Sequence, residues 1–315
     1  MSLEESGHKP VLLEELVDVL KPKDNETYFD ATFGNGGYSE KLLQVCDCQV
    51  IAIDQDPSVC VRAKELKKKY GKRFQFIEGK FSEIQEIMEK ASEKKVNSFI
   101  FDLGVSSMQL DNPDRGFSFM REGPLDMRMD IKGSTAADVI NGLAEEELAD
   151  IIYHYGDEQK ARRIARRIVE YRKIRKINTT IELADTVKKC FPKKYFKKHP
   201  ATRTFQAIRI YLNNEIEELS KGLNIATQYL IEGGRLCVVS FHSLEDRIVK
   251  NFFKLSDQGI ILKKNNFLKY KNKVIKPGAE EVKDNHRARS AKLRFGIRSN
   301  NLFSEILLSE LGFKG

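Results

Sequence analysis

Two carboxylates frame a glycine-rich turn in this chain, and that pairing is the first sign of chemistry. The stretch FDATFGNGGYSEKLL (29–43) places Asp30 at the end of an apolar run, then Gly34, Gly36 and Gly37, then a helical pattern. A glycine turn lets backbone amides approach a ligand, and the helix start behind it adds unpaired N–H groups. Eighteen residues after Gly36 a second apolar run, QVIAID (49–54), ends on Asp54, a carboxylate placed to accept both hydroxyls of a ribose. Together these predict a cofactor built on a nucleoside. A dinucleotide dehydrogenase would complete G-x-G-x-x-G with a third glycine, where this sequence has Ser39. The acid before the turn, Asp30, suits a cationic ligand better than a pyrophosphate.

Further candidates follow later apolar runs. Asp102 closes FD in NSFIFDL (97–103), the position where many amino-group methyltransferases carry Asp or Asn before two prolines and an aromatic; FDLGVSS stands there instead. GGRLCVVSF (233–241) has the Gly-Gly entry into a strand that recurs in methyltransferases, and Phe241 and His242 follow it. At the carboxyl edge of an open α/β sheet such residues could position a substrate; alternatively they only begin and cap a helix. Ser243, His242 and Asp246 suggest a hydrolase triad, but the chain has no G-x-S-x-G elbow, and Asp246 is explained as an acid in a first helical turn.

The elements that must position these residues are legible in the spacing. Strands are expected at 27–32, 49–54, 74–78, 97–103 and 235–241, with helices at 38–45, 57–70, 82–92 (capped by Ser82) and 243–253 (capped by Ser243). Strands alternating with helices predict an α/β fold with a parallel sheet covered on both faces. The alternation stops at a Gly-, Pro-, Asp- and Arg-rich loop, 112–131, and helices at 136–141, 145–155, 159–173 and 181–189 follow with no strand between them. The expected division is therefore a catalytic domain of 1–111 and 200–315 and an all-helical insertion of 112–199. After Pro200 a long helix is expected over 204–229, and β-like runs in 260–276 and 291–297 could close the sheet as an antiparallel pair.

Charge singles out the insertion. The chain carries a net +8, yet 160–203 alone carries +13, leaving −5 for everything else. Ala161, Ile164, Ala165, Ile168 and Val169 form an apolar stripe that leaves Arg162, Arg163, Arg166 and Arg167 outside it. Such a basic stripe suits a polyphosphate partner, although Lys/Arg runs are often plain solvated faces. No apolar run approaches the roughly 20 residues of a membrane span. The polar start has neither signal- nor transit-peptide character, so a cytoplasmic location is expected. The five scattered cysteines include no CxxC pair and predict reduced thiols, with no metal site.

Long strings carry a more specific signal. GHKPVLLEE (7–15), DATFGNGGYSEKLL (30–43), AIDQDP (52–57), DLGVSSMQLDNPDRGFSFMREGPLDMRMD (102–130), HPATRTFQAIRIYLNNE (199–215), SFHSLEDRIVK (240–250) and NHRARSAKLR (285–294) together resemble one family, the bacterial 16S ribosomal RNA cytosine-N4 methyltransferases (RsmH/MraW). Tyr38, Gln55, Met108 and His286-x-Ala288 depart from the common residues His, Arg, Pro and Pro-x-Ser. The resemblance implies a class I, Rossmann-like S-adenosyl-L-methionine methyltransferase sheet with a helical insertion, acting on a cytidine amino group in the decoding region of 16S ribosomal RNA. It carries cofactor contacts onto Gly36, Gly37, Tyr38, Asp54, Phe81, Asp102 and Gln109, with Phe81 against the adenine. Asp102 is then claimed twice, by the cofactor and as acceptor of the N4 protons. Arg162, Arg163, Arg166 and Arg167 would grip RNA phosphates, and Arg203, Arg287, Arg289 and Arg294 would line the mouth. The expected partner is 16S ribosomal RNA or the small subunit, with room for a homodimer. Methylation at another RNA site and a non-catalytic ribosome-assembly factor are the competing readings.

Overall fold

Runs such as VIAI (50–53) and FIF (99–101) are apolar at every position, so they suit strands buried on both faces of a parallel sheet. The structure, a computed structural model, describes residues 10–192, 198–257, 267–270 and 274–313. Its strands are β1 (Thr27–Asp30), β2 (Gln49–Asp54), β3 (Phe74–Glu78), β4 (Val96–Asp102), β5 (Leu230–Ser240), β6 (Phe267–Tyr270) and β7 (Lys292–Arg298). They form one sheet in the order β3-β2-β1-β4-β5-β7-β6. The first five are parallel, with β1 between β2 and β4 and β4 beside β5. β7 runs antiparallel to β5, and β6 antiparallel to β7, as the tail runs predicted; residues 260–266 and 271–273 of those runs lie outside the described residues. This is a Rossmann-like sheet, and its strand order reverses between β1 and β4, the switch point at whose carboxyl ends open α/β sheets bind ligands.

The helices in chain order are α1 (Leu13–Leu20), α2 (Gly37–Val45), α3 (Cys60–Tyr70), α4 (Ile84–Lys90), α5 (Ser107–Asp111), α6 (Ala136–Gly142), α7 (Glu145–Gly156), α8 (Ala161–Arg172), α9 (Thr180–Lys188), α10 (Thr202–Leu212), α11 (Glu215–Tyr229), α12 (Ser243–Asp257) and α13 (Ala279–Asp284). Among the described residues none is long and apolar enough to cross a membrane. The described residues of Met1–Gly104 and Glu217–Phe313 make one compact unit, and those of Val105–Ile216 a second. The second unit is thus wider than the expected insertion at both ends. It takes in α5 and also α10, which packs on α7 with Gly156 directly against the Arg203 carbonyl.

Two expectations change in detail. Gly233 and Gly234 do not turn into β5; they lie within it, where its register against β4 shifts between Val96 and Ser98. The helix expected over 204–229 is broken between α10 and α11. Asn214 takes a left-handed φ of 50°, and the Asn213 side chain donates to the Met127 carbonyl (2.9 Å) and accepts from the Met129 amide (2.8 Å).

The helical unit has a core of its own, with Leu148, Ile152, Ile164, Ile168, Leu183, Val187 and Ile208 buried. The 112–131 loop belongs to that core through Phe117, Leu125, Met127 and Met129. Phe119 of the loop lies 4.8 Å edge-on to Phe205 and 4.7 Å from His199, so two of the long strings meet.

Candidate functional site

At the carboxyl edge of the sheet β1, β2 and β4 each end on an aspartate. Asp30 is fully buried and accepts the Thr32 amide (3.1 Å) and the Ser39 hydroxyl (2.7 Å). Burial pushes its carboxyl up to about 6. Asp54 is half-buried, and it accepts the Gly34 amide through Oδ2 (2.8 Å) and the Asp56 amide through Oδ1 (2.9 Å). It therefore ties the second strand to the glycine turn. Burial raises it to about 6, and the charges of Asp56 and Asp30 act in the same direction. The Asp102 amide donates to the Thr32 hydroxyl at 2.6 Å, but its Oδ1 is buried with no hydrogen-bond partner among the described residues. Burial first, then the charges of Asp30 and Glu245, hold the Asp102 carboxyl well above the usual range. An orphaned buried acceptor among other acids fits a ligand that brings positive charge or N–H donors.

The glycine turn is built by its neighbours. Gly36 precedes α2 at φ 75°, and a Cβ there would sit 2.7 Å from the Phe33 ring, so only glycine fits. A Cβ on Gly37 would meet the Pro10 ring at 2.0 Å; that side of the turn is filled by the N-terminal segment. Tyr38 is buried with its hydroxyl donating to the Val11 carbonyl, which leaves only its backbone to the turn. Phe81 is half-buried and opens the short turn Phe81–Glu83, edge-on to Phe101 at 5.1 Å. Ser82 is not the expected cap: its amide and hydroxyl both bond Glu218 (2.9 Å each), and Glu83 takes the Lys80 amide instead (2.7 Å).

Where β5 ends, Phe241 and His242 are both half-buried, and the residue that organises them is Glu245, which sequence reasoning missed. Its carboxylate accepts the amides of Phe241 (2.8 Å) and His242 (3.3 Å), while its own amide donates to His242 Nδ1 (3.3 Å). Ser243 is thus not the cap but the first residue of α12, while Asp246 lies in the first turn beside Glu245, as expected. Asp246 also binds Lys292 (2.6 Å) and Arg294 (2.8 Å); burial raises its carboxyl, but Arg294 and Lys292 outweigh that and hold it below the ordinary range. No triad joins it to His242, and Arg294 is a buried strut rather than part of a mouth. Arg287 and Arg289 are exposed.

The remaining predicted residues lie in the helical unit. Gln109 is buried in α5, where its side-chain oxygen accepts the Ser106 amide (3.0 Å) and its amide donates to the Ser106 hydroxyl (3.2 Å), a reciprocal cap. Arg162, Arg163, Arg166 and Arg167 all stand exposed on α8 opposite buried Ala161, Ile164, Ala165 and Ile168. Arg166 lies 3.4 Å from Glu145 and Arg167 3.6 Å from Glu170, exposed pairs of the kind worth about 0–1 kcal/mol. A phosphate can displace them. Other basic residues of the stripe are structural: Arg172 donates to the carbonyls of Ile140 (2.6 Å) and Leu143 (2.5 Å), and Arg203 to that of Asp157 (3.0 Å). Lys193, Lys194 and Lys197 lie outside the described residues.

The profile of the MraW methylase family matches residues 5–298. The chain belongs to that family. It is 50% identical over 300 residues to the ribosomal RNA small subunit methyltransferase H of Rickettsia massiliae and equally to that of Rickettsia conorii, covering 91% of this chain and 97% of each relative. Among solved structures, an rRNA methylase from Streptococcus thermophilus is 10% identical with a TM-score of 0.44, covering 91% of this chain and 95% of that one. In this MraW family chain the buried acids leave a signature in stability. Asp30 and Asp54 hold protons more tightly folded (about 6) than at the ordinary 3.8. The stability they contribute is complete below about pH 4 and is lost as pH rises through about 6. Relative to the cofactor-free wild type, Asp30→Asn should therefore gain more in urea midpoint at about pH 7.5 than at about pH 4.5. A gain that ignores pH would show that Asp30 is not the strained group.

Proposed function

We infer that this chain transfers a methyl group from S-adenosylmethionine to the N4 amino group of a cytidine in 16S ribosomal RNA. Family membership and the names of its relatives support methylation of small-subunit ribosomal RNA. The observation that carries the amino-group reading is the buried Oδ1 of Asp102 at the end of β4, without a hydrogen-bond partner among the described residues.

The residues at the sheet edge fit the cofactor. Asp54 would take the ribose, Phe81 the adenine, and the backbone of Gly36, Gly37 and Tyr38 would line the turn. Asp30 and Asp102 would give the negative surroundings that a sulfonium favours. When bound, the cofactor supplies an activated methyl carbon.

The protein's own task is to present the nucleophile. A cytosine N4 lone pair is delocalised into the ring, so it attacks poorly. An acceptor for the N4 protons localises that lone pair toward the methyl carbon. Asp102 Oδ1 and nearby carbonyl groups are the acceptors in this reading, and Phe241 or His242 holds the base. His242 is not needed as a base, because a methylated, positively charged amine gives up its proton to water readily. The base must leave its stack to be reached. The arginines of α8 supply sequence-independent hold on the RNA backbone.

Incubating the protein with labelled S-adenosylmethionine and immature small subunits tests this directly. Label is expected in N4-methylcytidine of 16S ribosomal RNA. Label in another nucleoside would replace the acceptor assignment, and subunit binding without any label would leave a non-catalytic assembly factor.

A further inference from the structure

The turn after β5 holds more order than a helix start requires. His242 Nδ1 accepts the Glu245 amide at 3.3 Å, so in the neutral ring the proton sits on Nε2. Nε2 is itself buried and has no aligned hydrogen-bond acceptor among the described residues. Glu245 Oε1 comes within 2.9 Å of it but off the line of the N–H, as that carboxylate is aimed at the backbone amides of Phe241 and His242. Glu245 is only 3% exposed. An acid buried this deeply to hold one short turn, with a histidine N–H left unanswered beside it, is a costly arrangement unless a ligand completes it.

The neighbourhood says where that ligand lies. β4 and β5 are adjacent and parallel, with Asp102 opposite Val239. Gly104, two residues beyond Asp102, faces Phe241 and Glu245: a Cβ there would be 3.7 Å from the Phe241 ring and 3.9 Å from Glu245 Oε1. One strand end thus offers an orphaned acceptor, Asp102 Oδ1, and the next an orphaned donor, His242 Nε2. Cytosine presents the complement on one edge: N4–H as donor, with N3 and O2 as acceptors.

We propose that Glu245 is a positioning residue that locks the 241–242 turn so that His242 offers Nε2–H to the ring-acceptor edge of the cytosine being methylated. This rests on the cytidine reading above and adds the device that selects the base.

Three measurements test it on the full-length protein. First, nitrogen NMR of 15N-histidine-labelled protein, taken where the ring is neutral, should show the His242 proton on Nε2, and Glu245→Ala should scramble that tautomer. Second, with immature small subunits, Glu245→Ala should lower kcat/KM roughly 10- to 100-fold, the loss expected for a misplaced buried hydrogen bond. Glu245→Gln keeps an oxygen for the two amides and should recover most of it. Third, His242→Gln retains a donor near the Nε2 position and should exceed His242→Ala in activity. Calorimetry with S-adenosylhomocysteine should give wild-type affinity for all four variants, which separates this role from a folding defect. Wild-type kcat/KM in Glu245→Ala, or an Nδ1-protonated His242, overturns the proposal and leaves the cytidine reading intact. If the wild type itself deposits no label in cytidine, the reading beneath it has failed instead.

Discussion

Replacing Asp102 by asparagine is expected to lower turnover by about 10²-fold or more while S-adenosylhomocysteine binds within a few-fold of wild type. The expectation follows from what the carboxyl faces. Its Oδ1 is buried without a partner, and burial together with Asp30 and Glu245 raises its proton affinity far above an ordinary aspartate's. Burial and the neighbouring acids favour its protonated form, which is a poor acceptor. Positive charge arriving beside it reverses the balance and frees the oxygen for the N4 protons. An amide at the same place keeps the shape but neither carries the charge nor takes up a proton. A second readout follows: calorimetry across pH in buffers of different ionisation enthalpy should detect more proton release on binding the cationic cofactor than on binding its neutral demethylated product. Asparagine should shrink the difference by the share that Asp102 supplies. A variant that loses cofactor affinity yet turns over normally when saturated would assign Asp102 to the cofactor alone.

Converting Arg162, Arg163, Arg166 and Arg167 together to alanine should weaken RNA binding by about 10²- to 10³-fold and flatten its dependence on salt by roughly three units of slope. Each of the four stands exposed on one face of α8, and the apolar stripe opposite is buried, so the substitutions remove charge without opening the core. Alanine also favours the helix, so the melting temperature should hold. By contrast Arg172→Ala would strip two carbonyls near the end of α6 of their donors and is a stability variant, not a binding one. If the quadruple variant binds RNA with wild-type affinity from 50 to 200 mM salt, the α8 face is only a solvated surface.

What could be read from the sequence were features whose cause is local. Apolar runs ending in Asp30, Asp54 and Asp102 become parallel strands with those acids at one edge, because each run is short and buried on both faces. The α8 stripe follows from 3.6-residue periodicity alone. The errors arose where a distant residue decides. Asn213 breaks the expected helix by bonding Met127 and Met129, more than 80 residues earlier in the chain. Ser82 is claimed by Glu218. Helix α1 was overlooked, although LEELVDVL has helical spacing that buries Leu13, Leu16 and Leu20. The Glu245 signal was present as His-x-x-Glu at a helix start. Asp246 offered the same spacing from Ser243; both acids lie in the first turn, but it is Glu245 that takes the amides of Phe241 and His242.

The proline seated against Gly37 has a practical corollary. Pro10 covers that residue, Val11 receives the Tyr38 hydroxyl, and Leu12 gives its amide to Glu281 at 2.7 Å. Three consecutive residues therefore brace the bend from outside. Shortening the leader past residue 12 would strip one wall from the bend and leave a phenol without its acceptor.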